Sequence, residues 1–323
     1  MLMEQTVTVL MPVRNGERYL RAACASVLAQ RGPALEFLII DDGSTDATPQ
    51  ILQDFVARDH RVRVLHQEAS GIVVALNRGL RMARTSLIAR MDADDLCLPG
   101  RLAAQVAHVL AHPRVVALGT GWQVIDTAGA KGQLVAPPAS ADAVRVALAD
   151  RNCLAHPSVV LQRDAALQAG GYRQTLTGAE DYDLWLRLSG QHDVENLPQP
   201  LIGLRQHPDQ VTKRRLEQRI LAEIGANWLH KVRQRGTEPS FSGENAVSRS
   251  LIVSWGMPAD ELSAGIIARA LGAAHDALAN GDPDTARVAA RLVMAEGPPL
   301  LRTRVHVQLL GVRARLLGRR GLP

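Results

Sequence analysis

Cysteine is scarce in this chain of 323 residues, and the three present, Cys24, Cys97 and Cys153, are far apart and odd in number. They argue against a disulfide framework and against a paired-cysteine metal knuckle, and they fit a reducing cytosol. Long apolar runs are missing too. The opening stretch MLMEQTVTVLMPV has no basic flank, no apolar segment of signal-peptide length and no small-residue cleavage site, and no later run is long enough to span a bilayer. The expectation is a cytoplasmic protein, neither exported by such a signal nor membrane-spanning. Acidic residues are absent from residues 297 to 323, which carry six arginines. The net charge of +5 therefore belongs to that tail, and the nearly neutral body implies no nucleic-acid partner. No internal repeat is convincing.

Hydrophobic residues make up 46% and charged residues 21%, the balance of a folded globular protein with a real core. The length predicts one large α/β domain with a smaller piece appended. Thr6 to Met11 is an apolar, β-branched run expected to stop at Pro12, and a helical pattern follows from Arg18 to Gln30. Glu36 to Ile40 is a second buried-strand run. It ends in Asp41-Asp42-Gly43-Ser44, after which Thr45 or Asp46 can cap a helix from Pro49 to Arg58. Val62 to His66 reads as a strand, Gly71 to Ala83 as a helix, and Leu87 to Met91 as a strand running into Asp92-Ala93-Asp94-Asp95.

This alternation predicts an α/β, Rossmann-like, mostly parallel sheet flanked by helices, with the ligand crevice at the strand C-ends. A helix from Arg101 to Ala111 and a strand from Val115 to Gly119 come next, then a looser region reaching Pro208. From about residue 210 the chain reads as helical, broken at Pro239 to Gly243 and Gly297 to Pro299. The expected organisation is a catalytic domain over 1–209, with 1–118 as its nucleotide-binding half and 119–209 as its acceptor half. A helical C-terminal region over 210–323 ends in a basic amphipathic tail.

Three aspartates within four residues at a strand end repel one another unless a cation or exposure offsets the charge. Asp92, Asp94 and Asp95 are thus either metal ligands or a solvated acidic turn, and the tetrad alone leaves both open. Asp41 and Asp42 divide the same way, between nucleotide contact and turn chemistry. That both clusters end strands of one sheet favours a nucleotide and a cation. Glu180 and Asp181 open a helix whose pattern, Tyr182, Leu184, Trp185, Leu186 and Leu188, is largely buried. A carboxylate there can cap the helix or take a proton as general base.

In order and spacing these segments resemble the family 2 glycosyltransferases of GT-A fold. VTVLMPVRNGERYLRAACASVLAQ looks like the family's opening strand and helix, EFLIIDDGSTDATPQIL its second unit and SGIVVALNRGL its third. MDADDLCLPGRLAAQ looks like its DxD segment, HPSVVLQRDAALQAGGY its central block and AEDYDLWLRL its acidic catalytic helix. The resemblance covers roughly the first two-thirds of the chain. It implies an inverting, metal-dependent hexosyl transfer from a nucleotide diphosphate-sugar, a UDP-sugar first, to the hydroxyl of a saccharide or lipid-linked acceptor in bacterial surface polysaccharide or glycolipid synthesis. Pro12, Val13, Asn15, Asp41, Asp42, Asn77 and Ala93 are implied to line the nucleotide pocket, with Asp42 favoured for the base. Asp92 is implied at the ribose or the metal, and Asp94 as a direct ligand of Mg2+ or Mn2+. Asp181 is implied as catalytic base with Glu180 supporting it, and His207, in LRQHP, as a further metal or phosphate contact. Leu204 and Leu76 depart from the family's usual tyrosine and arginine. His156 either borders the donor sugar or is a satisfied buried histidine. Trp185 reads as core, while Trp122 is a candidate for sugar stacking. Arg101 and Gln105 read as braces for the acidic loop.

A nucleotidyltransferase that makes an activated sugar is the competing enzyme class, but it calls for a Gly-rich phosphate loop where this chain has Pro12-Val13-Arg14-Asn15-Gly16. A non-catalytic binding scaffold is the other alternative. In the tail, Leu301, Val305, Leu309, Val312 and Leu316 form one helical stripe edged by arginines. This predicts either peripheral membrane contact through residues 301–320, at the inner face of the cell membrane, or a helix docked on the domain.

Overall fold

The computed structural model describes residues 6–207, 215–237, 239, 246–279 and 282–296. The chain divides into two compact units. One takes the described residues within Met1–Gln174 and Glu180–His207, the other those within Thr175–Ala179 and Pro208–Pro323.

The first unit is built on a sheet of nine strands. Its order is β3 (Val62–Gln67), β2 (Ala34–Asp42), β1 (Thr6–Val13), β4 (Leu87–Arg90), β8 (Val160–Gln162), β6 (Val115–Ile125), β9 (Asp193–Arg205) and β5 (Leu96–Cys97), with β7 (Lys131–Val135) paired to β6. β1 lies parallel to β2 and β4, and β2 parallel to β3. Beyond β4 the sheet is mixed: β8 runs antiparallel to both β4 and β6, and β9 runs parallel to β6. The expected parallel order is therefore concentrated in the first ninety residues, where helices α1 (Leu20–Leu28), α2 (Thr48–Arg58) and α3 (Ile72–Met82) supply the crossovers. The chain moves outward from β1 to β2 and β3, then returns to place β4 on the other side of β1. That reversal opens a crevice at the C-terminal ends of β1 and β4.

Pro12 does not end β1, contrary to expectation. The Leu10 carbonyl accepts from Met91 N–H at 3.0 Å, so Leu10 faces the β4 side, and Pro12, two residues on, faces the same way. The β1–β4 register ends at Leu10 opposite Arg90, so no ladder partner waits there for the N–H that proline lacks. Alternating residues of the central strands fill two faces. Val7, Val9, Met11, Phe37 and Ile39 pack with Leu20, Val27, Ile51 and Leu52 and with Leu102 and Val106 of α4 (Arg101–Ala111). Leu10, Leu38 and Ile40 bury the opposite face, where Gly79 of α3 lets Leu10 approach its backbone. Each aliphatic side chain buried this way contributes about 1.5–3 kcal/mol. All three cysteines are buried and free.

The second unit carries helices Leu216–Gln234, Arg249–Ser254, Ala259–Ala279 and Pro283–Glu296, of which the last two form a hairpin. No helix among the described residues is long and apolar enough to cross a membrane. The basic stripe at 301–320 lies outside the described residues.

Candidate active site

The acidic turn after β4 is held from three sides. β5 follows it and pairs with β9, so the turn is bracketed between strands. At the end of β9, Arg205 N–H donates to Asp95 Oδ1 at 2.7 Å, Arg205 Nε donates to the Asp94 carbonyl at 2.7 Å, and its Nη1 reaches the Asp126 carbonyl at 2.7 Å. The Arg205 guanidinium also lies 4.6 Å from the centre of the Tyr19 ring. So anchored, Asp92, Asp94 and Asp95 each offer a carboxylate oxygen, and these oxygens lie within 4.8 Å of one another. Hard oxygen donors so grouped fit Mg2+ or Mn2+. Asp95 is only 2% exposed and its Oδ2 has no hydrogen-bond partner among the described residues, as suits an oxygen kept for a cation. Burial, and then the charges of Asp94 and Asp92, hold the Asp95 carboxyl well above the usual range. His207 Nε2 lies 3.0 Å from Asp94 Oδ2, so the histidine implied at the metal does meet the acidic turn, through a ligand candidate.

Beneath the turn sits Arg90, the last residue of β4, with its side chain 3% exposed and Nη1 2.5 Å from Asp92 Oδ2. Its carbonyl is fixed by Arg101 Nη2 at 2.8 Å. Arg101 is itself fully buried with no carboxylate partner among the described residues, and its Nε donates to Gln105 Oε1 at 3.0 Å. Gln105 Nε2 donates to the carbonyls of Leu118 and Ser158 at 2.6 and 2.9 Å. The bracing expected of Arg101 and Gln105 is thus a continuous buried chain of neutral acceptors running from β6 to the strand beneath the aspartates.

After α5 (Ala141–Leu148) and α6 (Arg163–Gln168), α7 (Glu180–Leu188) presents Glu180 and Asp181 at its first turn. Asp181 Oδ1 accepts from Tyr182 N–H at 2.8 Å, and Oδ2 from Asn152 Nδ2 at 2.9 Å. Burial raises the Asp181 carboxyl, and those two donors together with the Arg90 charge pull it back, leaving it above the usual range. Arg90 thus acts on both Asp92 and Asp181. Glu180 is buried at the same helix start. Trp185 is core, as expected, and Trp122 is partly buried against the core cluster. His156 is a satisfied buried histidine: its Nε2 lies 3.0 Å from Tyr172 Oη and its ring meets Trp185 edge-on. Burial and the nearby Arg90 hold it well below the usual histidine range, so it stays neutral.

At the end of β2, Asp42 accepts from Gln67 Nε2, Ser70 N–H and Gly71 N–H at 2.7 to 2.9 Å, and Asp41 pairs with His66 Nδ1 at 3.0 Å and with Ser44 N–H at 3.1 Å. Both are nearly buried and tie the loops that frame the crevice. Gly43 turns the chain at φ +69°, and a Cβ there would meet Ala69 N at 2.7 Å, so this turn demands glycine. Asn15 takes the left-handed conformation at φ 53° and links its loop to the next, accepting from Thr45 N–H at 2.8 Å. Pro12 and Val13 close β1 beside it, Val13 in register with Asp41, and Ala93 is partly buried against the core. Asn77 is a different case. Its Nδ2 donates to the Tyr172 carbonyl at 2.8 Å and its Oδ1 accepts from Tyr172 N–H at 2.9 Å, which ties α3 to the central block.

The pattern that defines Glycosyl transferase family 2 matches residues 8–141. The amylovoran biosynthesis glycosyltransferase AmsE of Erwinia amylovora is 38% identical over 155 residues, spanning 48% of this chain and 58% of that protein. The O-antigen biosynthesis glycosyltransferase WbnJ of Escherichia coli is 30% identical over 205 residues, spanning 62% of this chain and 80% of that protein. The chain belongs to glycosyl transferase family 2. Among solved structures, the mannosyltransferase PcManGT of Pyrobaculum calidifontis, in complex with GDP-Man and Mn2+, shares the fold at a TM-score of 0.54 and 19% identity, over 98% of this chain and 88% of that one. The glycosyltransferase family and the GT-A fold implied by the resemblance are both met.

Two residues of the candidate site carry no signal in the sequence. Asp95 is a candidate ligand within the acidic tetrad, although the resemblance implies only Asp92 and Asp94 at the metal. Arg90 reads as an ordinary strand end, and Asn152 lies 29 residues before its partner in a loop with no motif of its own.

Proposed function

We propose that this family 2 glycosyltransferase is metal-dependent and inverting, transferring a sugar from a nucleotide diphosphate-sugar, a UDP-sugar first, to an acceptor hydroxyl. One observation carries the reading: three aspartate oxygens within 4.8 Å of one another, where the strand order reverses. Asp92, Asp94 and Asp95 would hold Mg2+ or Mn2+, with His207 against Asp94. Bound by these residues, such a cation would supply neutralising charge for a departing diphosphate. Asp41, Asp42, Asn15, Pro12 and Val13 shape the crevice for the nucleoside.

Asp181 accepts the proton of the acceptor hydroxyl while the acceptor oxygen bonds to the anomeric carbon. The bond from that carbon to the diphosphate oxygen breaks on the opposite face, and the configuration inverts. Glu180 supports Asp181 at the helix start. The names of the relatives, amylovoran and O-antigen biosynthesis glycosyltransferases, support an acceptor in bacterial surface polysaccharide or glycolipid synthesis, and we read the acceptor as reached from the cytoplasm. Residues 301–320 are read as its contact with an anionic membrane face, a reading that fails if deleting 297–323 leaves co-sedimentation with anionic liposomes unchanged. To test the donor, UDP-, GDP- and dTDP-sugars are screened by thermal shift with Mn2+ and with EDTA. Stabilisation by at least one donor, with Mn2+ only, is expected; no shift with any of them contradicts the proposal.

A further inference from the structure

Asp181 has a preset environment that its own helix only half supplies. The Tyr182 N–H at Oδ1 is local, one residue away. The donor at Oδ2 comes from Asn152, in the loop after α5 (Ala141–Leu148). The direction of the Asn152 amide is not free: its Oδ1 accepts Leu154 N–H at 3.1 Å, so the NH2 end is the one turned to the carboxylate. Cys153 and Leu154, which follow it, are 7% and 4% exposed and root the loop in the core.

We propose that Asn152 is a positioning residue for sugar transfer: its oriented amide holds the Asp181 carboxylate in one rotamer and in its ionised form, ready to receive the acceptor's proton. The inference rests on the reading of Asp181 as base. A carboxyl taken out of water becomes harder to ionise, and a neutral acid cannot accept a proton. The Tyr182 N–H and the Asn152 NH2 donate to Asp181, and the Arg90 guanidinium of β4 adds positive charge beside it; Glu180 is its acidic neighbour on the helix, and the charges of Asp181 and Glu180 in turn raise the buried Tyr172 hydroxyl. Among the described residues, Asn152 is the side chain that donates a hydrogen bond to the Asp181 carboxylate, at 2.9 Å. Each carboxylate oxygen keeps a second lone pair, so the hydrogen bonds fix the group without blocking it.

The test needs no acceptor. In full-length protein labelled with 13C at aspartate carboxyls, the Asp181 resonance is assigned by its loss in Asp181→Asn and titrated in wild type, Asn152→Ala and Asn152→Asp. Losing a hydrogen bond to a charged group raises the midpoint by about one to two pH units in Asn152→Ala, and the like charge in Asn152→Asp raises it further. Release of UDP from UDP-glucose or UDP-galactose in the presence of Mn2+ slows about tenfold or more, while affinity for UDP with Mn2+ is unchanged. Asn152→Ser, which keeps a donor at shorter reach, falls between and replaces the alanine variant if that variant does not fold. An Asn152→Ala midpoint equal to wild type overturns the positioning role and leaves the base reading standing. Wild-type UDP release in Asp181→Asn overturns both.

Discussion

Asp181 and His156 lie in one buried neighbourhood: burial raises the Asp181 carboxyl and lowers the His156 imidazole, and the Arg90 charge opposes the first shift and adds to the second. The chemistry is assigned to Asp181. Asp181→Asn is expected to lower turnover by about 100-fold or more, the usual scale of a lost general base, with UDP–Mn2+ affinity kept. Because burial raises Asp181, the acid limb of the rate profile is expected above the ordinary carboxylate range, the rate falling as pH drops through that value and the base takes up a proton. His156 gives a stability prediction of its own. Its folded-state pKa is depressed, so as pH falls below about 6.5 the unfolded chain takes up a proton that the native one refuses, and stability is lost. Thermal melts at pH 7.5 and 5.5 are expected to show a smaller loss in His156→Gln than in wild type. An equal loss in both refutes a buried neutral histidine.

At the scale of elements, the acidic turn depends on partners distant in sequence. Arg205 contacts Asp95 across 110 positions, and its side chain meets three backbone carbonyls and the Tyr19 ring. Arg205→Ala is expected to destabilise by about 1–3 kcal/mol in urea titrations, since a buried guanidinium loses its hydrogen bonds to three carbonyls and its packing on the Tyr19 ring. It should also weaken Mn2+ binding by loosening the aspartates. Gln105→Leu tests the brace below: it strands Arg101 Nε and two carbonyls, for about 2–3 kcal/mol. The first four strands were legible because each is a short apolar run closed by turn residues, and α4 runs from Arg101 to Ala111 as its pattern indicates. Pro12 misled because a proline reads as a stop unless one knows which side of the strand has lost its neighbour. Arg90 and Asn152 were illegible for a related reason: their roles come from burial and long-range contact, which leave no periodicity in the chain. Asn77 shows the converse, a motif position whose side chain the fold commits to backbone.

At the scale of the molecule, the fold brings a parallel half-sheet, which carries Asp41, Asp42 and the aspartate triad, together with a mixed half-sheet and α7, which carry Arg205, His207 and Asp181. All of these lie in the first compact unit. The central claim is that the triad makes nucleotide binding depend on a cation. The most direct measurement is calorimetric titration of UDP and GDP into wild type and Asp94→Ala, with Mn2+ and again with EDTA. Binding of at least one nucleotide by wild type with Mn2+ is expected, at least about tenfold weaker in EDTA and in Asp94→Ala. Equal affinity with and without Mn2+, or full affinity in Asp94→Ala, would contradict it.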